Sequence, residues 1–225
     1  MIISGIDNSK NSPGIVKFNI DDETFKIVRE EYLGLTMNKT KKPKISSDPN
    51  HLILELNGKD YNDYDKINFM SSNITNFVSD CNYIAFEDYA YMANGRITDL
   101  AESVGVLKYL LYNKNISLRF YAPSLIKMFS TTNGAADKSL MIKQYEQIGN
   151  PLNLPKNHLE EHPYEDIIDA YFITKLLYTE LAIRKGFIKL HELNEQQIRP
   201  FNHISASSKV NLLSLDFIQK KNRIE

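Results

Sequence analysis

The sequence predicts an α/β fold: a mixed sheet flanked by helices, followed by a C-terminal extension. Three observations carry this. The chain opens with short apolar runs separated by turn residues, the pattern of an antiparallel meander. Beyond residue 67, helix-length patterns alternate with short apolar runs, as when strands join a sheet in parallel. A long apolar stripe over 163–185 then supplies a helix to cover the sheet.

The elements follow in order. Met1-Ile2-Ile3-Ser4-Gly5-Ile6-Asp7 is a buried strand ending in a carboxylate. Residues 8–14, with Asn8, Ser12, Pro13 and Gly14, read as a turn. Residues 15–20 return antiparallel, and 24–33 form a third strand with Phe25, Ile27 and Val28 apolar. Residues 36–49 are a loop in which Lys39, Lys41, Lys42 and Lys44 crowd around Pro43. That loop is either a solvated segment or an arm that contacts phosphates. Residues 51–56 can form a short extra strand, and 57–65 are a polar turn.

Residues 67–79 read as a helix with Ile67, Met70, Ile74, Phe77 and Val78 on one side. Residues 82–86 are a short buried strand that runs into Glu87 and Asp88. The longest helical pattern, 93–112, spaces Ile97, Leu100, Ala101, Val104, Leu107 and Leu111 by threes and fours. A strand at 118–122 stops at Pro123, and 124–129 is a helical turn. After a break at 133–137, a helix resumes over 138–148. Pro163 suits the first turn of the last strong helix and Gly186 suits its stop. The division is therefore a main domain at 1–185 and an extension at 186–225. Within the extension, 210–218 is apolar enough for one short element that packs on the main domain or on a partner.

Composition narrows the function. At 225 residues, with 42% apolar and 24% charged residues, the chain resembles an ordinary globular protein. A net charge of -1 excludes a globally basic nucleic-acid binder but permits a local basic groove beside an acidic pocket. Cys81 is the single cysteine, which excludes an internal disulfide and a cysteine-rich zinc site. An intracellular location without a membrane span is expected.

Carboxylates recur where such a fold could gather them. Asp7 ends the first strand and Glu87 ends the strand after the first long helix. Asp166 and Asp169 lie three apart near the start of the last strong helix, hence on one face. Either Asp alone could simply favour a helix N-terminus. Four acids at two strand ends and one helix start repel one another unless cations neutralise them, and hard oxygen donors select Mg²⁺ or Mn²⁺.

This arrangement resembles the RNase H-like, retroviral-integrase-like fold, and more narrowly the RuvC family of Holliday junction resolvases, in its phage or viral branch. The resemblance rests on GIDNS at 5–9, IAFEDYAYMANGR at 84–96, the following helix, PSLIKMFSTTNGAADKS at 123–139 and EDIIDAYFI at 165–173. It implies a mixed five-stranded sheet. It also implies that Asp7, Glu87, Asp166 and Asp169 bind two Mg²⁺ ions, for which Mn²⁺ can substitute. By the same resemblance Lys138 sits near the scissile phosphate and Lys127 holds backbone phosphate.

The implied activity is a structure-selective endodeoxyribonuclease that resolves four-way DNA junctions by paired symmetric nicks. It would leave 5′-phosphate and 3′-hydroxyl ends and act as a C2 homodimer, with the long helix after Glu87 at the interface. Two alternatives stay open: a nuclease of the same fold acting on flaps, forks or RNA–DNA hybrids, and a catalytically silent branched-DNA binding protein. Tyr89 and Tyr91 could stack on an unpaired base, and Arg96 could contact phosphate. Phe69 and Phe77 read as core. His158 and His162 could chelate a metal only on a helix, and Pro155 and Pro163 argue for a loop instead.

Overall fold

A computed structural model describes residues 1–9, 11–37, 50–56, 62–88, 97–202 and 211–218. Among these, six strands form one sheet: β1 (Ile2–Asp7), β2 (Gly14–Ile20), β3 (Ile27–Thr36), β4 (His51–Glu55), β5 (Tyr83–Glu87) and β6 (Ser117–Tyr121). Their spatial order is β4-β3-β2-β1-β5-β6. The meander β1–β2–β3 is antiparallel, and β5 then joins β1 in parallel. At the edges β6 pairs parallel to β5 and β4 parallel to β3. The sheet thus has one strand more than the five that the resemblance implies. The addition is the HLILE run, which follows the long lysine-bearing connection.

Two helices, α1 (Asp63–Phe77) and α2 (Ile97–Tyr112), cover one face. They pack on a cluster that includes Ile6, Ile15, Leu35, Ile84 and Phe86. The other face carries α3 (Pro123–Thr131), α4 (Lys138–Gln147), α5 (Tyr164–Arg184) and α6 (Glu195–Asn202). Strand periodicity assigns residues to faces. Ile3 and Ala85 belong to the α5-side cluster, whereas Ile6 and Phe86 belong to the α1-side cluster. In α5, Ile168, Ile173, Leu176 and Leu177 are fully buried. Each contributes about 1.5–3 kcal/mol, which explains why this helix is the strongest pattern in the chain.

Several boundaries differ from the sequence reading. The third strand begins at Ile27 rather than residue 24, because Phe25 sits in a turn at φ 55°, where its N–H bonds the Asp21 carbonyl. Helix α1 begins at Asp63, four residues before its apolar pattern. A capping box sets that start: Asn62 accepts from the Asp65 N–H, and Asp65 accepts from the Asn62 N–H. Helix α3 has nine residues rather than a single turn. Phe69 and Phe77 pack against the α1-side cluster. No helix among the described residues is long and apolar enough to cross a membrane.

The segment after α5 folds back onto the sheet. Phe201 is fully buried and meets Phe129 of α3 edge to face at 6.3 Å. Leu118 and Ile218 exchange backbone hydrogen bonds of 2.9 and 3.0 Å, which covers the β6 edge. A buried charge group holds this strap. Arg119 donates to Glu180 and to the carbonyls of Leu215 and Asp216, and Phe217 lies over its guanidinium at 4.1 Å. Arg184 donates to Glu180 Oε1 at 2.9 Å and to the Leu212 and Leu215 carbonyls at 2.7 Å. Tyr121 donates to Glu180 Oε2 at 2.7 Å.

Removing one member of a buried charge pair costs about 3–5 kcal/mol, because the other charge is stranded. Arg119→Leu is expected near the lower end of that range, since Arg184 and Tyr121 still reach Glu180. Urea denaturation checks this, and the double variant Arg119→Leu/Glu180→Leu should recover much of the loss.

Candidate active site

Two strand ends and one helix meet at the site. Asp7 is the last residue of β1 and Glu87 the last of β5, and Ile6 pairs with Phe86 in parallel register. The period-2 alternation turns both carboxylates to the α5 side of the sheet. Helix α5 crosses that face very closely, and two glycines permit it. A Cβ on Gly5 would lie 2.5 Å from the Thr174 nitrogen and 2.7 Å from the Ala170 carbonyl oxygen. A Cβ on Gly14 would lie 2.2 Å from the Asp166 carbonyl oxygen. Thr174 Oγ1 shares its proton between the Ala170 carbonyl one turn back in α5 at 2.7 Å and the Val16 carbonyl of β2 at 3.2 Å, which ties the helix to the strand. Gly14 is therefore no turn residue. It opens β2 opposite Asp7, and its missing side chain makes room for α5.

The close crossing brings Asp166 and Asp169 to Asp7. One carboxylate oxygen from each of these three residues lies within 4.8 Å of the other two. Glu87 does not join that tight group but lines the same cleft, together with Ser9, Lys127 and Lys138. Lys127 projects from α3. Lys138 is the first residue of α4, fixed there because the Asp137 side chain caps the helix through the Leu140 N–H at 2.9 Å. Its ammonium lies 3.2 Å from Asp166 Oδ1, 3.3 Å from Glu165 Oε1 and 3.9 Å from Asp169 Oδ2.

The electrostatics follow from burial and crowding. Burial raises the Asp7 carboxyl well above its ordinary value, and the charges of Asp169, Asp166 and Glu87 raise it further against the pull of Lys138. Burial pushes Asp169 up to about 7; Lys138 opposes this, while Glu87 and Asp166 add to it. Burial also raises Glu87 against Lys127 and Lys138. Asp166 goes the other way. Burial would raise it, but hydrogen bonds from His162 and Ser12 and the Lys138 charge together hold it below its ordinary value. Burial disfavours the Lys138 ammonium, yet Asp166, Asp169 and Glu165 outweigh that and raise its pKa.

Crowded carboxylates that resist ionisation together, with oxygen donors only, fit a hard divalent cation. Asp7, Asp166 and Asp169 could hold it, with Glu87 alongside. Such a centre can polarise phosphoryl oxygens, and the two lysines add positive charge to the cleft walls.

The structure thus brings together Asp7, Glu87, Asp166, Asp169, Lys127 and Lys138. Tyr89, Tyr91, Arg96, Lys41 and Lys42 lie outside the described residues. His158 and His162 have different partners: His158 Nδ1 pairs with Glu161 at 3.2 Å, and His162 groups with Glu165 and Asp166. Sequence reasoning missed that Ser12, His162 and Glu165 belong to the site. His162 lies four residues before Asp166, a spacing that could have found it. Ser12 lies 154 residues from Asp166, and no sequence signal marks it.

The fold and site define an RNase H-like α/β architecture with acids at the ends of neighbouring central strands and on the covering helix. More narrowly, the fold is that of RuvC. It is similar to a Thermus thermophilus RuvC structure at TM-score 0.51 and 14% identity, over 83% of this chain and 97% of that one. It is also similar to T. thermophilus RuvC in complex with a Holliday junction substrate, at TM-score 0.49, 13% identity and the same coverage. No protein-family model and no curated protein matches the sequence.

The glycine constraint is testable. Gly14→Ala forces α5 from β2 and should cost about 1–3 kcal/mol, as overpacking does, while weakening divalent-ion binding. Gly105→Ala on the exposed side of α2, where an added Cβ meets nothing within 4 Å, should instead stabilise by about 0.5–1 kcal/mol. Thermal melts of the two variants and Mn²⁺ titration of the first check both statements.

Proposed function

We propose that this chain is a divalent-cation-dependent endodeoxyribonuclease that resolves four-way DNA junctions by paired symmetric nicks. One observation carries the reading: four acids and two lysines share a single cleft at the ends of β1 and β5 in a RuvC-like fold. Asp7, Asp166 and Asp169, with Glu87 beside them, would hold two Mg²⁺ ions, or Mn²⁺ in their place. When bound, those ions supply Lewis-acid activation of the attacking water and of the leaving oxygen.

The remaining roles belong to the chain's own cations. The Lys138 side chain is half exposed at the edge of the acid group, so it can reach an incoming phosphate and stabilise negative charge as it develops. Lys127, on the α3 wall of the cleft, is suited to hold the DNA backbone and fix its register. Lys41, Lys42, Arg96 and Tyr89 belong to the same DNA-binding proposal on sequence grounds.

Paired nicks on a two-fold junction need two sites with matching symmetry, which a C2 homodimer supplies. Helix α2 supports that assembly. Val104, Leu107 and Leu111 are buried, while Val106, Tyr109 and Tyr112 stay exposed. Apolar groups on both sides of one helix suit a surface that a second copy covers.

Asp7→Asn should abolish junction cleavage in Mg²⁺ while leaving junction binding in Ca²⁺ largely intact; undiminished cleavage would remove Asp7 from the chemistry. Lys138→Ala should slow cleavage by about 100-fold, as loss of one charge-stabilising donor does, with a much smaller loss of binding. Equal losses in both would make Lys138 a positioning contact only. Single-turnover cleavage and gel-shift titrations of the same junction read both variants.

A further inference from the structure

Asp166 is held differently from its neighbours in the acid group. Its Oδ2 accepts two hydrogen bonds, from Ser12 Oγ at 2.6 Å and from His162 Nδ1 at 2.7 Å. Its Oδ1 faces the Lys138 ammonium at 3.2 Å, and that ammonium is 3.9 Å from Asp169 Oδ2. The two oxygens of one carboxylate therefore have separate surroundings. Oδ2 is engaged by Ser12 and His162, and Oδ1 is left to the ammonium that also reaches Asp169.

The protonation of the imidazole follows from its partners. His162 Nδ1 also lies 2.8 Å from Glu165 Oε1. The Asp166 carboxylate oxygen at 2.7 Å can only accept, so Nδ1 carries the proton in this arrangement. Ser12 Oγ, 2.9 Å from the same nitrogen, then sends its own proton to Asp166. Ser12 is buried and Asp166 is 1% exposed, so water does not compete readily for these bonds. Partners of this kind set the orientation of a metal-ligating side chain.

We propose that His162 and Ser12 are positioning residues for the divalent-ion centre: together they pin Asp166 Oδ2 and so present Oδ1 as the single oxygen offered to the cation. This rests on the reading above that Asp166 is a cation ligand. The consequence is specific. Without its donors the Asp166 carboxylate can rotate, and cation affinity falls even though every acid remains.

The test is Mn²⁺ binding to the full chain, followed by electron paramagnetic resonance of the free ion, in wild type, His162→Leu, His162→Asn, Ser12→Ala and Asp166→Ala. The His162 side chain is about half exposed, so its replacement should leave the fold intact. His162→Leu is expected to weaken Mn²⁺ binding by about 10- to 100-fold, the range seen when partners of metal ligands are lost. Ser12→Ala should act in the same direction. His162→Asn, whose amide can donate from the position of Nδ1, should restore most of the affinity. The half-saturating Mg²⁺ concentration for junction cleavage should rise in parallel, with near-normal rates at saturating Mg²⁺.

Wild-type affinity in both His162→Leu and Ser12→Ala would overturn the positioning role and leave the metal centre standing. Equal weakening in His162→Leu and His162→Asn would show that the Nδ1 donor is not what matters. Unchanged binding in Asp166→Ala would instead overturn Asp166 as a ligand, and with it the metal-centre reading itself.

Discussion

The site depends on the close approach of α5 to the first two strands. Gly5 and Gly14 leave space that a single methyl group would fill with backbone clashes. Thr174 fastens the helix to that surface from within the core. One consequence is mechanical: Asp166 and Asp169 arrive beside Asp7 on a helix whose apolar face is buried along most of its length. A side chain on so rigid a support keeps its place when charge is added or removed nearby.

That rigidity has an electrostatic cost, and the surrounding residues share it. Gathering acids in a poorly hydrated cleft raises Asp7, Glu87 and Asp169. Lys138 opposes all three shifts, and together with His162 and Ser12 it keeps Asp166 ionised. The group is therefore graded rather than uniform: hydrogen bonds and Lys138 favour the charged form of Asp166, while burial disfavours that of Asp7, Glu87 and Asp169. Toward the other end of α5 a different solution appears. There Glu180 is buried outright, and Arg119, Arg184 and Tyr121 satisfy it while the two arginines bind the C-terminal strap. One helix thus carries an open charge group that can accept a ligand and a closed one that holds the fold.

Much of the architecture was legible in the sequence, because strands ending in acids and a helix bearing acids three apart leave strong periodic signals. Asp7 and Glu87 share a face because Ile6 and Phe86, one residue earlier, share the opposite one. What escaped depends on long-range contacts. Ser12 looked like an ordinary turn residue, and its partner lies at the other end of the chain. Gly14 carried the same ambiguity. The start of α1 was hidden because its first turn is polar and set by a cap rather than by apolar spacing. The burial of Arg119, inside the strand expected at 118–122, is explained only by Glu180 and the returning strap. The sixth strand was legible as the apolar run at 51–56, but its pairing with β3 across a long connection was not.

The measurement that bears most directly on this account is cleavage of a synthetic mobile four-way junction in Mg²⁺, beside a linear duplex, a flap and an RNA–DNA hybrid. The account predicts paired, symmetric nicks confined to the junction, lost when the divalent ion is chelated. Equal or better cutting of the flap or the hybrid would contradict junction resolution and leave a nuclease of another specificity. Tight junction binding with no cleavage in Mg²⁺ or Mn²⁺ would contradict the catalytic reading of the acid group altogether.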